Sequence, residues 1–399
     1  HPARTKLDQG QNALHVACSS GQVEAAKVLL AWEAAQEHPG DLNERSDDGR
    51  TALASAALNG HAEVVRVLLE TPGVDCNAPD KEGASPLFLA ASKGHTQVVA
   101  VLLEHPGVLV EREDNEGNTS LLEAAYQGHD AVVSLLLADG RSNPNRRGAY
   151  GLLSPLMAAA MEGHVEVVRI LLADARLDVN APLFKMNLGG ERFLDSSDAD
   201  ATTPRNEIGV RRWLKAPFSH SLVWALEKGL KMVDLSILHV AVQCGQSEIV
   251  RLLLLDGRVN PNPKHGRLVV NPLAVAAKEG HLDVVKVLLE DPRVDVNGCS
   301  SFIVTPLRTA AMNGFADIVG LLLAHGADPN LRGGPGNLRS RPLEKAAKQV
   351  QKPPEEWLKD PNMGKVRVRG CLKVIEMLLA HPAVDKKGFK MPKIHPTLA

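Results

Sequence analysis

The sequence predicts an all-α repeat solenoid of about nine helix pairs with one large insertion. Three observations carry that expectation: a Leu recurs at a near-constant interval, a helix-starting pair of residues precedes it, and two apolar runs separated by Gly follow it. The recurring leucines are Leu14, Leu53, Leu87, Leu121, Leu156, Leu238, Leu273, Leu307 and Leu343. Six of the eight intervals between them lie between 34 and 36 residues. A fixed period of that size marks stacked units, each too small to bury its own apolar face. The 399-residue length therefore does not translate into the two or three globular domains, of roughly 150 residues each, that it would otherwise suggest.

Each unit reads the same way. It opens on a pair such as Thr51-Ala52, Ser85-Pro86, Ser154-Pro155, Asn271-Pro272 or Thr305-Pro306. Thr, Ser and Asn cap a helix start, and Pro fits the first turn, where its missing N–H costs nothing. Leu-x-x-Ala-Ala and then Gly follow, which predicts a helix of about two turns ended where a left-handed conformation is wanted. The alanine pairs Ala56-Ala57, Ala90-Ala91, Ala124-Ala125 and Ala276-Ala277 let neighbouring helices approach closely. Clusters such as Val64-Val65-x-Val67-Leu68-Leu69 predict a second helix buried over most of its circumference. Pro/Gly text and Val-Asp-x-Asn, as at 74–77 and 294–297, lead into the next unit.

Assembled, the text is Gly-x-Thr-Pro-Leu-His-x-Ala-Ala-x-x-Gly-His-x-Glu-Val-Val-x-x-Leu-Leu with a closing Asp-Val-Asn. It resembles the ankyrin-repeat pattern from Asn12 to about Asp385, with one gap. The resemblance implies paired antiparallel helices in a stacked array, with β-hairpin fingers projecting from it. It also implies a concave binding surface formed by the fingers and the first helices. Residues 1–180 would hold repeats one to five, 181–234 an insertion, and 235–399 repeats six to nine.

The insertion combines a polar, acidic stretch at 191–203, read as a mobile loop, with a helix at 219–233, the relic of a degenerate repeat. One reading makes it a tolerated surface addition. The other makes it a recognition element anchored by Phe184, Phe193 and Trp213. A second break falls at 350–370, with Pro353-Pro354, Trp357 and a basic run of Lys365, Arg367 and Arg369 between two helices that are normally adjacent.

Little in the sequence points to chemistry, and the chain is read as not an enzyme, with no cofactor and no metal. Most of the 15 histidines fall in register: His61, His95, His129, His164 and His281 follow a Gly, and His15 and His239 occupy the Thr-Pro-Leu-His slot. They are read as a ladder of structural positions rather than ligands. His-Glu-x-x-His, Gly-x-Ser-x-Gly and Gly-x-x-x-x-Gly-Lys are all missing. Gly333-Gly334-Pro335-Gly336 has no following Lys-Ser/Thr and reads as a turn. Five scattered cysteines without a C-x-x-C pair argue against a disulfide framework or a zinc site. They suit a reducing, intracellular setting, cytoplasmic or nuclear. No run reaches the roughly 18 apolar residues that a membrane span needs. Asn77, Asn180 and Asn297 are read as turn residues bonding their own turn. By resemblance they are alternatively targets of an asparaginyl hydroxylase.

Charge is unevenly spread. Residues 331–399 carry 15 Lys/Arg against 6 Asp/Glu, a net of +9 in a chain whose total is −2. Early finger text is acid-rich (Asp47-Asp48, Asp80-Lys81-Glu82, Glu113-Asp114-Asn115-Glu116), whereas later text is basic (Arg146-Arg147, Lys264, Arg267, Arg332, Arg339, Arg341). This drift predicts a polarised groove for a partner of opposite polarity.

The expected function is a non-catalytic scaffold or adaptor that binds another protein, the chain itself being monomeric. By resemblance, contact falls on the fingers at Asp47, Asp48, Arg50, Lys81, Glu82, Asn115, Glu116, Arg146 and Arg147. On the first helices it falls at Ser92, Lys93, Tyr126, Gln127, Met161, Glu162, Lys278 and Met312. Tyr126 and Met161 would form the hydrophobic centre of the patch. Two rival readings remain: nucleic acid or an anionic surface on the basic C-terminal part, ranked below a protein partner, and the targeting arm of a larger enzyme or effector.

Overall fold

The structure is a computed structural model that describes residues 10–36, 40–148, 151, 153–181, 236–262, 271–298, 305–333 and 340–395. The chain divides into two compact units, the first running to Asp178 and the second taking up from Val179. Phe184, Phe193 and Trp213, with the insertion from 182 to its end at 234, lie outside the described residues.

In the first unit five helix pairs follow one another. They are Ala13–Ser19 with Val23–Ala34, Ala52–Leu58 with Ala62–Leu69, Pro86–Ser92 with Thr96–Glu104, Ser120–Gln127 with Asp130–Ala138, and Pro155–Glu162 with Val165–Ala173. The second unit holds Ile237–Gln243 with Ser247–Leu255, Pro272–Glu279 with Leu282–Glu290, Pro306–Asn313 with Ala316–Ala324, and Pro342–Gln351 with Pro361–Ala380. Within each unit, first helices pack on first helices and second on second. The architecture is an all-α repeat solenoid.

The capping residues act as the sequence expects. The side chains of Thr51, Ser85, Thr119, Ser154, Asn271 and Thr305 each accept a backbone N–H from the residue three positions on. Each such cap is worth about 1 kcal/mol. All nine anchor leucines are buried, from Leu238 with no exposed surface to Leu14 at 8%. Burying one leucine contributes about 1.5–3 kcal/mol. The four alanine pairs have no exposed surface, so the first helices meet nearly backbone to backbone.

The fingers differ from β-hairpins. Among the described residues they are tight turns, with only the isolated antiparallel bridges Gly148–Leu153 and Gly333–Ser340. In two of them the first residue closes the turn. The Asp80 carboxylate accepts from the N–H groups of Glu82 and Ala84, at 2.9 and 3.0 Å. Asp114 does the same for Glu116 and Asn118. A loop closed this tightly by its own side chain leaves no length for a ladder.

The 350–370 segment also differs from expectation. The break is shorter, 352–360 between Pro342–Gln351 and Pro361–Ala380, and the basic run lies within the second of these, one helix of 20 residues. Asp360 caps its start, accepting from Asn362 and Met363, and Pro361 occupies the first turn. A short helix, Glu355–Lys359, precedes it and buries Trp357. Among the described residues no helix is long and apolar enough to cross a membrane.

Candidate functional site

The recurring residues of each pair are spent on the seams between pairs. His61 Nε2 lies 3.0 Å from the Ser19 carbonyl, His95 2.9 Å from Leu58, His129 3.2 Å from Ser92 and His164 2.9 Å from Tyr126. In the second unit His281 reaches Gln243 at 3.1 Å. A carbonyl can only accept, so Nε2 carries the proton. Each ring therefore satisfies a carbonyl that the preceding first helix leaves open at its end. The Gly that ends that helix makes room for it. Gly128 adopts a left-handed φ of +79°, and a Cβ there would stand 2.5 Å from the ring of His164.

The asparagines behave differently from the sequence reading. Each bonds the turn of the next pair, in addition to any local contact. Asn77 Nδ2 donates to the Gly107 carbonyl at 2.7 Å, and its Oδ1 accepts from Leu109 N–H at 2.8 Å. Asn43 and Asn145 form the same two bonds in the first unit, as do Asn297 and Asn330 in the second. Asn180 donates to Arg258. The preceding Asp, such as Asp75, closes the local turn instead. In one pair Glu111 replaces the Asn and keeps only the accepting half, from Asn143 N–H at 2.9 Å.

A third ladder had a sequence signal, Asp-x-Arg, that the reading of periodicity passes over. Arg141, Arg176, Arg258 and Arg293 each pair with the Asp two residues before. Arg141 also donates to Leu103, Arg176 to Leu137 and Arg293 to Leu254, each at the end of the preceding second helix. The guanidinium hydrogen bonds hold Asp139, Asp174, Asp256 and Asp291 below the usual carboxylate range.

What the seams leave over is the outward part of the fingers and the late positions of the first helices. Asp47, Asp48, Lys81, Glu82, Asn115 and Arg146 are exposed at finger tips, and Arg50, Glu116 and Arg147 are half-buried beside them. Neighbouring tips are joined through the backbone, Lys81 N–H donating to Asp48 and Asn115 N–H to Glu82. On the first helices of the same unit, Lys93, Gln127 and Glu162 are exposed, and Ser92, Tyr126 and Met161 are half-buried. The helices bearing Tyr126 and Met161 pack on each other. Lys278, exposed, and Met312, half-buried, belong to the second unit.

Charges along the fingers are partly cancelled rather than cleanly graded. Arg50 pairs with Asp48 at 3.2 Å and lies 3.5 Å from the buried Asp80. Arg146 pairs with Glu113 at 2.5 Å. Lys264, Arg267 and Arg339 fall outside the described residues. Burial pushes the thiols of Cys18 and Cys371 up to about 12, where a thiol is a poor nucleophile. Among the described residues no group of three His, Cys, Asp or Glu side chains is placed to hold a metal ion.

A family model described as ankyrin repeats (3 copies) matches residues 1–80, 72–148 and 238–333, and one described as ankyrin repeat matches 152–182. The chain is similar to the Ankyrin repeat and KH domain-containing protein mask of Drosophila melanogaster, 38% identical over 76 residues. That match covers 19% of this chain and 2% of that protein. It is also similar to Ankyrin repeat and KH domain-containing protein 1 of Homo sapiens, 45% identical over 67 residues, 17% of this chain and 2% of that protein. The chain thus spans a very small part of these relatives' length. Among solved structures, the ankyrin repeat domain of Bcl-3, a member of the IkappaB protein family, matches with a TM-score of 0.51 at 22% identity. The match covers 70% of this chain and 99% of that one, a likeness of fold.

Proposed function

The chain belongs to the ankyrin-repeat family, and we propose that it is a non-catalytic scaffold holding a partner protein on its finger tips and first helices. Ankyrin repeats generally mediate protein–protein interaction. One observation carries the reading for this chain. The residues that recur from pair to pair are consumed by the seams, while those that differ from pair to pair face outward on the fingers and first helices. In the first unit that leaves the half-buried Tyr126 and Met161, with Lys93, Gln127 and Glu162 exposed late in the same and the adjacent first helices. An apolar centre with a polar rim is the usual anatomy of a protein interface.

Nucleic acid is a weaker reading because two cations of the C-terminal part are already engaged. Arg341 bonds Glu344 and Asp385, and Arg367 lies over the Phe315 ring, 4.3 Å from its centroid. No described residue favours the targeting arm of an enzyme. The test is affinity capture with the full chain, repeated after Asp47, Asp48, Lys81 and Glu82 are changed to Ala. The scaffold reading expects recovery of the captured protein to fall sharply. Unchanged recovery would remove the fingers from the interface.

A further inference from the structure

One cation in the second unit is nearly buried without an anion among the described residues to pair with it. Arg308 stands third in the helix Pro306–Asn313, in the slot that His15 and His239 fill in other pairs. Only 7% of it is exposed. A guanidinium has five N–H donors, yet among the described residues that of Arg308 makes one hydrogen bond, from Nε to the Ser340 hydroxyl at 3.3 Å. Its terminal nitrogens are not sealed from solvent, and no carboxylate among the described residues pairs with them. Lys345, half-buried on the neighbouring helix Pro342–Gln351, lies close enough to be repelled by Arg308. Burial first, and then repulsion from Arg308 and Lys348, push the Lys345 pKa down. Lys348 follows one helical turn later and is exposed.

Acids of this unit are paired with other cations. Glu344 bonds Arg341 at 2.9 Å and lies 4.0 Å from Arg332, Glu279 bonds Lys278 at 2.9 Å, and Asp385 bonds Arg341 at 2.6 Å. The sequence on either side, 299–304 and 334–339, contains no Asp or Glu. A buried cation without an anion is a standing cost to the folded state, which a bound anion removes.

We infer that Arg308, Lys345 and Lys348 form an anion-recognition site for carboxylates on an acidic segment of a partner protein. The recessed planar fork of Arg308 suits a carboxylate taken edge-on. A nucleic-acid backbone would call for a row of exposed cations instead. The inference rests on the proposed protein-binding reading and supplies the partner's chemistry at the second unit.

The test measures binding of a fluorescein-labelled poly-glutamate peptide to the full chain by fluorescence anisotropy. Arg308→Met should weaken binding by more than about tenfold, and Lys345→Gln by less. Arg308→Met should leave the thermal midpoint at or above that of the wild type, because it removes an uncompensated buried charge. Lys286→Gln, on an exposed second-helix lysine already paired with Asp283, should leave binding unchanged. Equal affinity in Arg308→Met, or equal losses in Arg308→Met and Lys286→Gln, would overturn the site. So would a DNA duplex whose binding depends on Arg308 while the peptide fails to bind. If Arg308→Met still binds a captured partner at full strength, this inference falls alone. If the wild-type chain captures no protein, the scaffold reading falls beneath it.

Discussion

Between the pairs of the first unit, a His ring reaches the open carbonyl of the preceding helix, and a left-handed Gly makes room for it. At the last seam of the second unit the same carbonyls meet different atoms. One seam earlier, Phe315 already stands where a His would, against Gly280. Cys371 Sγ approaches the Ala311 and Met312 carbonyls at 3.7 and 3.8 Å, and Arg367 donates to Asn313 at 3.0 Å while covering the Phe315 ring. Gly314 and Gly370 meet backbone to backbone. The difference teaches that the seam requires space for close approach, and that the group set against the helix end can change from a His ring to the Phe315 ring or to the Cys371 thiol and Arg367 guanidinium. The long helix Pro361–Ala380 supplies both at the irregular seam.

Breaking the irregular seam should have the largest effect. Gly370→Ala places a Cβ against the Gly314 backbone, where nothing flexible can yield, and should cost about 3 kcal/mol. Gly94→Ala at a regular seam meets the His129 ring, which can swing aside, together with a left-handed φ of +73°. It should cost about 1–2 kcal/mol. Urea titrations of both variants would rank them; equal losses would mean that the two seams are not distinct.

The asparagine ladder comes next. Asn77→Ala removes a donor and an acceptor to the following turn and should cost about 2 kcal/mol, whereas Glu111→Ala removes one acceptor and should cost about half as much. Hydrogen exchange at the amides of Leu109 and Asn143 would report each loss locally.

The smallest effect belongs to the Asp-x-Arg staples, whose arginines are well exposed. Asp139 and Asp174 are held low by their arginines, so their contribution is complete above the unfolded pKa of about 3.9 and is lost as pH falls through the folded value. Arg141→Gln should cost under about 1 kcal/mol at neutral pH and raise the pH midpoint of acid unfolding. An unmoved midpoint would assign the staple no role in acid stability.

Much of the fold is legible because the caps and the leucines act within one pair, the Gly-His step recurs in a fixed register, and a pattern repeated along the chain is hard to misread. The asparagines are less legible. Their partners lie about 30 residues away, and an Asn that bonds its own turn looks the same in sequence as one that bonds the next. The 350–370 segment misleads because Pro353-Pro354 suggests a break, although Pro361 after Asp360 is an ordinary helix start. Finger charges can be counted in sequence, but their cancellation by Arg50 and Arg146 depends on side-chain placement. Arg308 carries only one clue, a charged residue in a slot that His fills in other pairs.

The central claim is that the outward first-helix face of the first unit binds a protein through Tyr126 and Met161. It is tested most directly by isothermal titration of the captured partner against the Tyr126→Ala/Met161→Ala double variant. Arg169→Ala, on an exposed second-helix residue, serves as the comparison. The account predicts a loss of at least about 2 kcal/mol in affinity for the double variant and none for Arg169→Ala. Unchanged affinity in the double variant would contradict it.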